Sequence, residues 1–117
     1  MNYVDGFVTP VPQANRERYL KHAKEAAALF RERGALSVVE CWGSDVPEGK
    51  LTSFSMAVRC EPGEVVVFSW ITWNSREQRD EAWKAIMADP RMQPGAMEMP
   101  FDGKRLIYGG FDVLLQA

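Results

Sequence analysis

The sequence is poor in the residues that most metal and disulfide sites require. Its 117 residues include one histidine, His22, and two cysteines, Cys41 and Cys60. A single histidine cannot form a multi-histidine site, and neither cysteine has a CxxC partner or another soft ligand nearby in the sequence. We therefore expect no metal and no cofactor. The thiols are expected to be free, although a bridge between Cys41 and Cys60 stays open on spacing alone.

Long apolar runs and clusters of one charge are also missing. No apolar run approaches the roughly 18 residues of a membrane-spanning helix, and nothing before Tyr3 resembles a signal peptide. Fourteen basic residues are interleaved with sixteen acidic ones, and the formal net charge is −2. Phosphate neutralisation needs clustered lysine and arginine. We therefore expect a cytoplasmic protein that binds neither membranes nor nucleic acid.

Large apolar side chains, in contrast, are abundant. Hydrophobic residues make up 46% of the chain, with four Trp, six Phe and three Tyr. A chain of this length can bury most of its apolar surface without disulfides or metals. Residues 1–117 are therefore predicted to form a single domain with an aromatic-rich core.

Hydrophobic periodicity predicts two halves, each with a strand, a helix and a strand, and one additional short strand. The predicted strands lie at 3–11, 35–43, 52–60, 65–73 and 105–115. The predicted helices lie at 13–33 and 75–88. The second helix begins with a capping-box pattern, in which Ser75 is the N-cap and Gln78 follows three residues later. Gly109 and Gly110 in the last strand indicate a bulge or a close approach by another group.

This element order is typical of an α+β, ferredoxin-like fold, a βαββαβ antiparallel sheet with two helices on one face. The opposite face of the sheet would then be bare and rich in aromatic residues. Because a soluble monomer seldom exposes such a patch, we expect a homodimer formed through the open sheet face.

Four blocks of the sequence resemble an uncharacterised bacterial family, DUF1428, whose members are also called YbaA-like proteins. In chain order the blocks are VECWGSDVPEGKLTSF, VVFSWITWNSREQRD, MADPRM and MPFDGKRLIYGGF. The resemblance covers nearly the whole chain. It implies a dimeric α/β barrel, in which two ferredoxin-like protomers join their sheets with the helices outside. It implies no particular activity, since the wider superfamily includes oxygenases, haem-degrading proteins and members with no known activity.

Three side chains are candidates for acid–base catalysis: Asp5, His22 and Glu40. His22 titrates near neutrality, but it also fits a partly exposed histidine paired within its own helix. Asp5 and Glu40 stand in otherwise apolar strands, where a charge is costly unless it is paired or solvated. In a pocket, either could act as a general base. The alternative is a carboxylate paired with Arg59 or Arg105, or hydrogen-bonded at the dimer seam.

Trp42, Trp70, Arg105 and Asp112 are candidates for ligand binding. The tryptophans offer flat walls for a planar ligand, although aromatic strand residues are usually core or interface. Parity sends Trp70 and Trp73 to opposite faces of the sheet, so one is expected under the helices and the other at the dimer seam. Arg105 could pair with a strand carboxylate, and Asp112 is a third carboxylate in an apolar strand.

The loop 91–104 contains three methionines and Phe101. This composition fits a lid that closes over a ligand, and it fits a fixed strap that fills the end of a barrel equally well.

Two functions follow as hypotheses. The protein binds or transforms a small, aromatic-type molecule in a pocket between sheet and helices, or it is a non-catalytic dimeric binding or scaffold protein.

Overall fold

The computed structural model describes all 117 residues. The chain forms one four-stranded antiparallel sheet with two long helices. The elements are β1 (Tyr3–Pro12), α1 (Arg16–Glu32), β2 (Ser37–Trp42), α2 (Phe54–Ala57), β3 (Glu64–Trp73), α3 (Arg76–Met87) and β4 (Ile107–Asp112). Short 3-10 turns precede α1 at Gln13–Asn15 and follow α3 at Pro90–Met92.

The strand order is β2-β3-β1-β4, with every neighbouring pair antiparallel. The two central strands are ten residues long and pair along their whole length, from Tyr3 opposite Trp73 to Pro12 opposite Glu64. This is the topology of a ferredoxin-like fold, as the element order predicts.

The junction between β3 and α3 follows the predicted cap. The Ser75 hydroxyl accepts a hydrogen bond from the backbone N–H of Gln78 at 3.1 Å. The Gln78 side chain accepts one from the backbone N–H of Asn74 at 3.2 Å, one residue earlier than an ideal capping box. Two backbone donors that the helix cannot satisfy thus find partners.

The strand predicted at 52–60 is wrong. Residues Phe54–Ala57 form the short helix α2, whose N-cap Ser53 accepts a hydrogen bond from the backbone N–H of Met56 at 3.0 Å. Val58 behind it is 1% exposed. Serine at an N-cap competes with extended structure because its hydroxyl satisfies a backbone donor locally. A short alternating pattern does not outweigh that contribution.

Both long helices cover the same face of the sheet. One core cluster joins Phe30 of α1 and Ile86 of α3 to the sheet, where the other members include Tyr3, Ile71 and Trp73. A second cluster joins α1 to the far end of the same face; its members are Val11, Tyr19, Ala23 and Val67. Odd-numbered residues of β1 and β3 therefore point toward the helices, as the period of two requires.

The opposite face carries large apolar side chains that remain exposed. Phe68 of β3 is 44% exposed and Phe111 of β4 is 60% exposed. The ring of Phe68 contacts Trp70 on the same face and Phe54 of α2, with ring centroids 5.6 Å and 6.0 Å apart. Trp73 lies under the helices with no exposed surface, so the predicted division of Trp70 and Trp73 between the two faces is confirmed.

The Gly-Gly pair in β4 marks a close approach. A Cβ atom on Gly110 would lie 2.6 Å from Nη2 of Arg79 and would also meet the Tyr3 side chain. Only glycine leaves room there for the Arg79 side chain to reach Asp5.

Candidate functional site

An apolar cavity of about 200 Å³ lies between α1 and the sheet. We call it the inner cavity. Its walls are mostly hydrophobic and include the aromatic rings of Phe7, Phe30 and Trp83. Glu40, Tyr19 and His22 are the titratable groups that line it, and no lysine or arginine does. The sequence candidates Glu40 and His22 thus meet at one cavity.

Tyr19 and Glu40 form the polar wall of the inner cavity. Tyr19 belongs to the apolar stripe of α1 and is 7% exposed. Its hydroxyl donates a hydrogen bond to Oε1 of Glu40 over 2.6 Å. Glu40 stands on β2, directly opposite the buried Ser69 of β3. Although the residue as a whole is exposed by area, its carboxyl group faces the cavity side of the sheet.

The surroundings of this pair favour its uncharged forms. Burial raises the pKa of Glu40, and the hydrogen bonds from Tyr19 and Ser69 only partly oppose that rise. Burial also raises the pKa of Tyr19 strongly, and the negative charge of Glu40 adds to the effect. No arginine or lysine offsets the carboxylate. Glu40 can therefore hold or release a proton closer to neutral pH than an ordinary glutamate.

His22 lines the inner cavity and also a surface cleft of about 140 Å³. Its ring lies edge-on to Phe101, with ring centroids 5.5 Å apart. The Nδ1 atom is buried and has no hydrogen-bond partner. Burial lowers the pKa of His22, opposed by a backbone hydrogen bond to Glu98 and by the charge of Glu25. The neutral imidazole is therefore favoured in the folded protein.

The loop 91–104, which we call the strap, closes one side of the inner cavity. Met92, Met99 and Phe101 contribute side chains to the cavity wall. Two contacts, one exposed and one partly buried, fasten the middle of the strap to the N-terminal end of α1. Arg18 Nε donates to Glu98 Oε1 over 2.7 Å, and Asn15 Nδ2 donates to the carbonyl of Pro100 over 3.0 Å.

Two arginines fix the ends of the strap. Arg91 donates to Glu32 and to Asp89, each over 2.8 Å, and it lowers the pKa of Asp89 to about 2. Just beyond the other end, Arg105 forms a bidentate pair with Glu64, with N–O distances of 2.6 and 2.7 Å. Ion pairs hold both ends of the strap, and its contact with Arg18 in the middle is exposed. This arrangement fits a fixed element and a lid that opens equally well.

Asp5 lies at a separate place, on an open groove of about 910 Å³ beside α3. The carboxylate is 3% exposed. Its Oδ2 accepts hydrogen bonds from the indole N–H groups of Trp73 and Trp83, each at 2.9 Å. Arg79 pairs with its Oδ1 at 2.7 Å. The partner is thus Arg79 rather than Arg59 or Arg105, and Asp5 does not converge with Glu40 in one cavity.

The remaining sequence candidates lie outside the inner cavity. Trp42 packs against the Val11 cluster, and the guanidinium of Arg16 lies 5.5 Å from its ring centroid. Trp70 stands on the open sheet face beside Phe68. Arg105 is occupied by Glu64 and by further carboxylates. Asp112 is exposed at the end of β4.

Sequence reasoning missed two residues of these sites. Tyr19 fits the apolar stripe of the helix, so its spacing predicts only a core position. Its hydroxyl was the one sign of a polar contact, because a buried tyrosine hydroxyl needs a hydrogen-bond partner. Arg79 sits in the first turn of α3, where it looks like an ordinary surface residue.

Two general features complete the description. No three His, Cys, Asp or Glu side chains come together in a way that could hold a metal ion, and both cysteines are free. None of the helices combines the length and apolar character needed to cross a membrane.

Comparison with known proteins places the chain in a family. Residues 2–103 match a family described as "Protein of unknown function (DUF1428)". The uncharacterised protein YbaA of Escherichia coli strain K12 is 56% identical over 115 residues, covering 98% of this chain and 98% of YbaA. The YbaA protein of Shigella flexneri matches equally well.

A solved structure supports the fold. A crystal structure described as a dimeric ferredoxin-like protein from an uncultured marine organism superposes with a TM-score of 0.61. The alignment covers the whole of both chains at 11% identity, so the likeness shows the fold alone. On the family match and the YbaA relatives, the chain belongs to the DUF1428 family, and its fold is ferredoxin-like.

Proposed function

We propose that this protein binds a small aromatic molecule in the inner cavity, between α1 and the sheet. The observation that carries the proposal is the Tyr19–Glu40 pair. A carboxyl group without a cationic partner stands on the wall of a mostly apolar cavity, where the Tyr19 hydroxyl donates a hydrogen bond to it. Pockets for small molecules have this composition, a hydrophobic lining with a few convergent polar groups.

The size of the cavity favours a single ring. A cavity of roughly 150 Å³ can hold benzene, and the inner cavity measures about 200 Å³. The side chains of Phe30, Phe101 and Trp83 line the cavity, and a ligand ring can pack against them. A molecule with one ring and one polar substituent fills this space.

Glu40 is the residue best suited to chemistry on the bound molecule. Because burial raises its pKa, the carboxylate can take up a proton from a ligand more readily than an ordinary glutamate can. The Tyr19 hydroxyl holds the carboxyl group in place through its hydrogen bond. The proposed role of Glu40 is therefore that of a general base, with Tyr19 as a positioning residue.

We also propose that the protein acts as a homodimer in the cytoplasm. The exposed Phe68 and Phe111 lie on the sheet face that the helices leave open. Leu114 and Leu115, just beyond β4, are 99% and 82% exposed and extend the apolar surface. The structural neighbour is itself described as dimeric. A second copy that covers this face would bury these residues and complete an α/β barrel.

A ligand screen with matched variants tests the proposal. Single-ring aromatic compounds are titrated into the protein by calorimetry, with Ala27→Leu as the blocking variant, because Ala27 lines the inner cavity. The matched control is Ala28→Leu, one residue along the same helix and exposed. We expect binding to the wild type and to the control, and its loss in Ala27→Leu. Binding that survives in Ala27→Leu would place the ligand elsewhere.

The competing function is a non-catalytic dimeric scaffold, and Asp5 favours it. That strand carboxylate is fully paired by Arg79 and two indoles, as a structural charge should be. A scaffold would bind no compound in the inner cavity, and Glu40→Gln would leave every measured property except stability unchanged.

A further inference from the structure

The inner cavity has an uneven distribution of charge. Glu40 is the one acidic side chain that lines it, and the cavity has neither a lysine nor an arginine on its wall. His22 is the one lining residue that could carry a positive charge. Burial lowers its pKa, so the neutral imidazole is favoured. The cavity therefore presents an acceptor carboxyl group without a counter-charge.

The aromatic side chains of the cavity wall also favour a positively charged ligand. The faces of aromatic rings carry partial negative charge and attract cations. Tyr19, Phe30, Phe101 and Trp83 surround the space. Elsewhere in this protein the same preference is visible, since the Arg79 guanidinium lies 5.2 Å from the ring centroid of Tyr3.

These features rank the possible ligands by charge. An anion would meet the carboxylate of Glu40 without a cation to balance it. A neutral ring would gain only from the burial of apolar surface. A ring with a protonated amine would supply the missing counter-charge and up to three hydrogen-bond donors, while its ring packs on the aromatic walls.

We propose that the inner cavity selects a small aromatic ammonium ion, a single ring that bears a protonated amine, over neutral and anionic rings of the same size. This inference rests on the proposed function, since it concerns the same cavity. The Glu40 carboxylate accepts hydrogen bonds from the ammonium N–H groups, and the aromatic side chains of the wall enclose the ring.

Three probes of nearly equal size test this selectivity: benzylamine, benzyl alcohol and benzoate. Each is titrated by calorimetry into the wild type, Glu40→Gln and Asp112→Asn, the last being an exposed strand carboxylate as the control. We expect benzylamine to bind at least about tenfold more tightly than benzyl alcohol, and benzoate to bind most weakly. Glu40→Gln should remove the advantage of benzylamine and leave benzyl alcohol within about twofold. Circular dichroism verifies that each variant is folded.

The outcomes separate this inference from the proposed function. If benzyl alcohol binds as well as benzylamine and Ala27→Leu blocks it, the cavity is a ligand site but the charge selectivity is overturned. If benzylamine keeps its advantage in Glu40→Gln, the assignment to Glu40 is overturned. If no probe binds the wild type, both the selectivity and the proposed function fail.

Discussion

The Tyr19 hydroxyl and the Glu40 carboxylate, 2.6 Å apart, join the first helix to the edge strand β2 on one wall of the inner cavity. Their residue numbers differ by 21. The hydrogen bond fixes the one polar wall of an apolar space. No cation neutralises the Glu40 carboxylate. The pair should therefore respond to changes in pH and to the charge of a ligand.

The stability of the Glu40→Gln variant should depend on pH in a defined direction. In the folded protein the pKa of Glu40 is raised by burial, so the fold favours the protonated carboxyl group. The wild type therefore loses stability as the pH rises from below the ordinary glutamate pKa of about 4.3 through the raised value. Glutamine cannot ionise, so the variant escapes this loss.

Chemical denaturation across this pH range measures the effect. The free energy of unfolding of Glu40→Gln, relative to that of the wild type, should increase as the pH rises. At low pH the two free energies should be nearly equal. The variant Asp112→Asn, at an exposed carboxylate, is measured alongside as the control. A difference that is flat with pH would mean that Glu40 is solvated like a surface residue.

The ion pair between Asp5 and Arg79 should be essential for stability. Removing one partner of a buried pair leaves the other charge uncompensated and typically costs about 3–5 kcal/mol. Asp5→Ala would also leave the indole N–H groups of Trp73 and Trp83 without an acceptor. We expect a loss in that range by urea denaturation, whereas Asp112→Ala, at an exposed carboxylate, should stay within about 0.5 kcal/mol of wild type.

A double-mutant cycle sharpens this prediction. If Asp5 and Arg79 interact as the geometry indicates, the loss in Asp5→Ala/Arg79→Met should be clearly smaller than the sum of the two single losses. Additive losses would show that the two residues act independently.

Much of this architecture could be predicted from local sequence. The β3–α3 junction was predictable because an apolar run ends at a serine cap, and parity correctly sent Trp70 and Trp73 to opposite faces of the sheet. Both signals depend only on neighbours in the chain. The segment 52–60 shows the limit of the same reasoning, because Ser53 caps a short helix where the alternating pattern predicts a strand.

The partners of the polar groups could not be predicted. Asp5 pairs with a residue 74 positions away, and no local pattern connects a strand carboxylate at the start of the chain with an arginine in the first turn of α3. Tyr19 is similar, because its spacing predicts burial but its hydroxyl partner depends on the packing of α1 over β2. Long-range polar pairs follow from the topology, which has to be known first.

Acid should loosen the strap. The pKa of His22 is lowered by burial, so protonation favours conformations in which the ring is more solvated. The charged form would also carry an N–H at Nδ1, which has no acceptor in the closed arrangement. Strap closure should therefore be complete above the ordinary histidine pKa of about 6.5 and weaken as the pH falls below it.

Hydrogen exchange, corrected for intrinsic rates, can be compared at about pH 5 and about pH 7.5. The Ala96 amide, which donates to the carbonyl of Gln93 over 3.0 Å, should lose protection in acid in the wild type but not in His22→Gln. Because Glu98 also contacts Arg18, the Arg18→Gln variant should lose protection at both pH values. Equal protection in the wild type at both pH values would make the strap a fixed element. The charged or titratable groups around His22 are Arg18, Tyr19, Lys21, Glu25, Glu40 and Glu98.

The open sheet face should be a dimer interface centred on Phe68. Light scattering is expected to give twice the 13.2 kDa mass of one chain. Phe68→Glu places a charge at the middle of the apolar face, next to Trp70. A central aromatic residue typically contributes at least about 2 kcal/mol to an interface, so the dissociation constant should rise by about 30-fold or more. Leu20→Glu, on the exposed side of α1, should leave the dimer intact. A monomeric wild type, or a dimer that only Leu20→Glu disrupts, would place the interface elsewhere and leave the apolar face without an occupant.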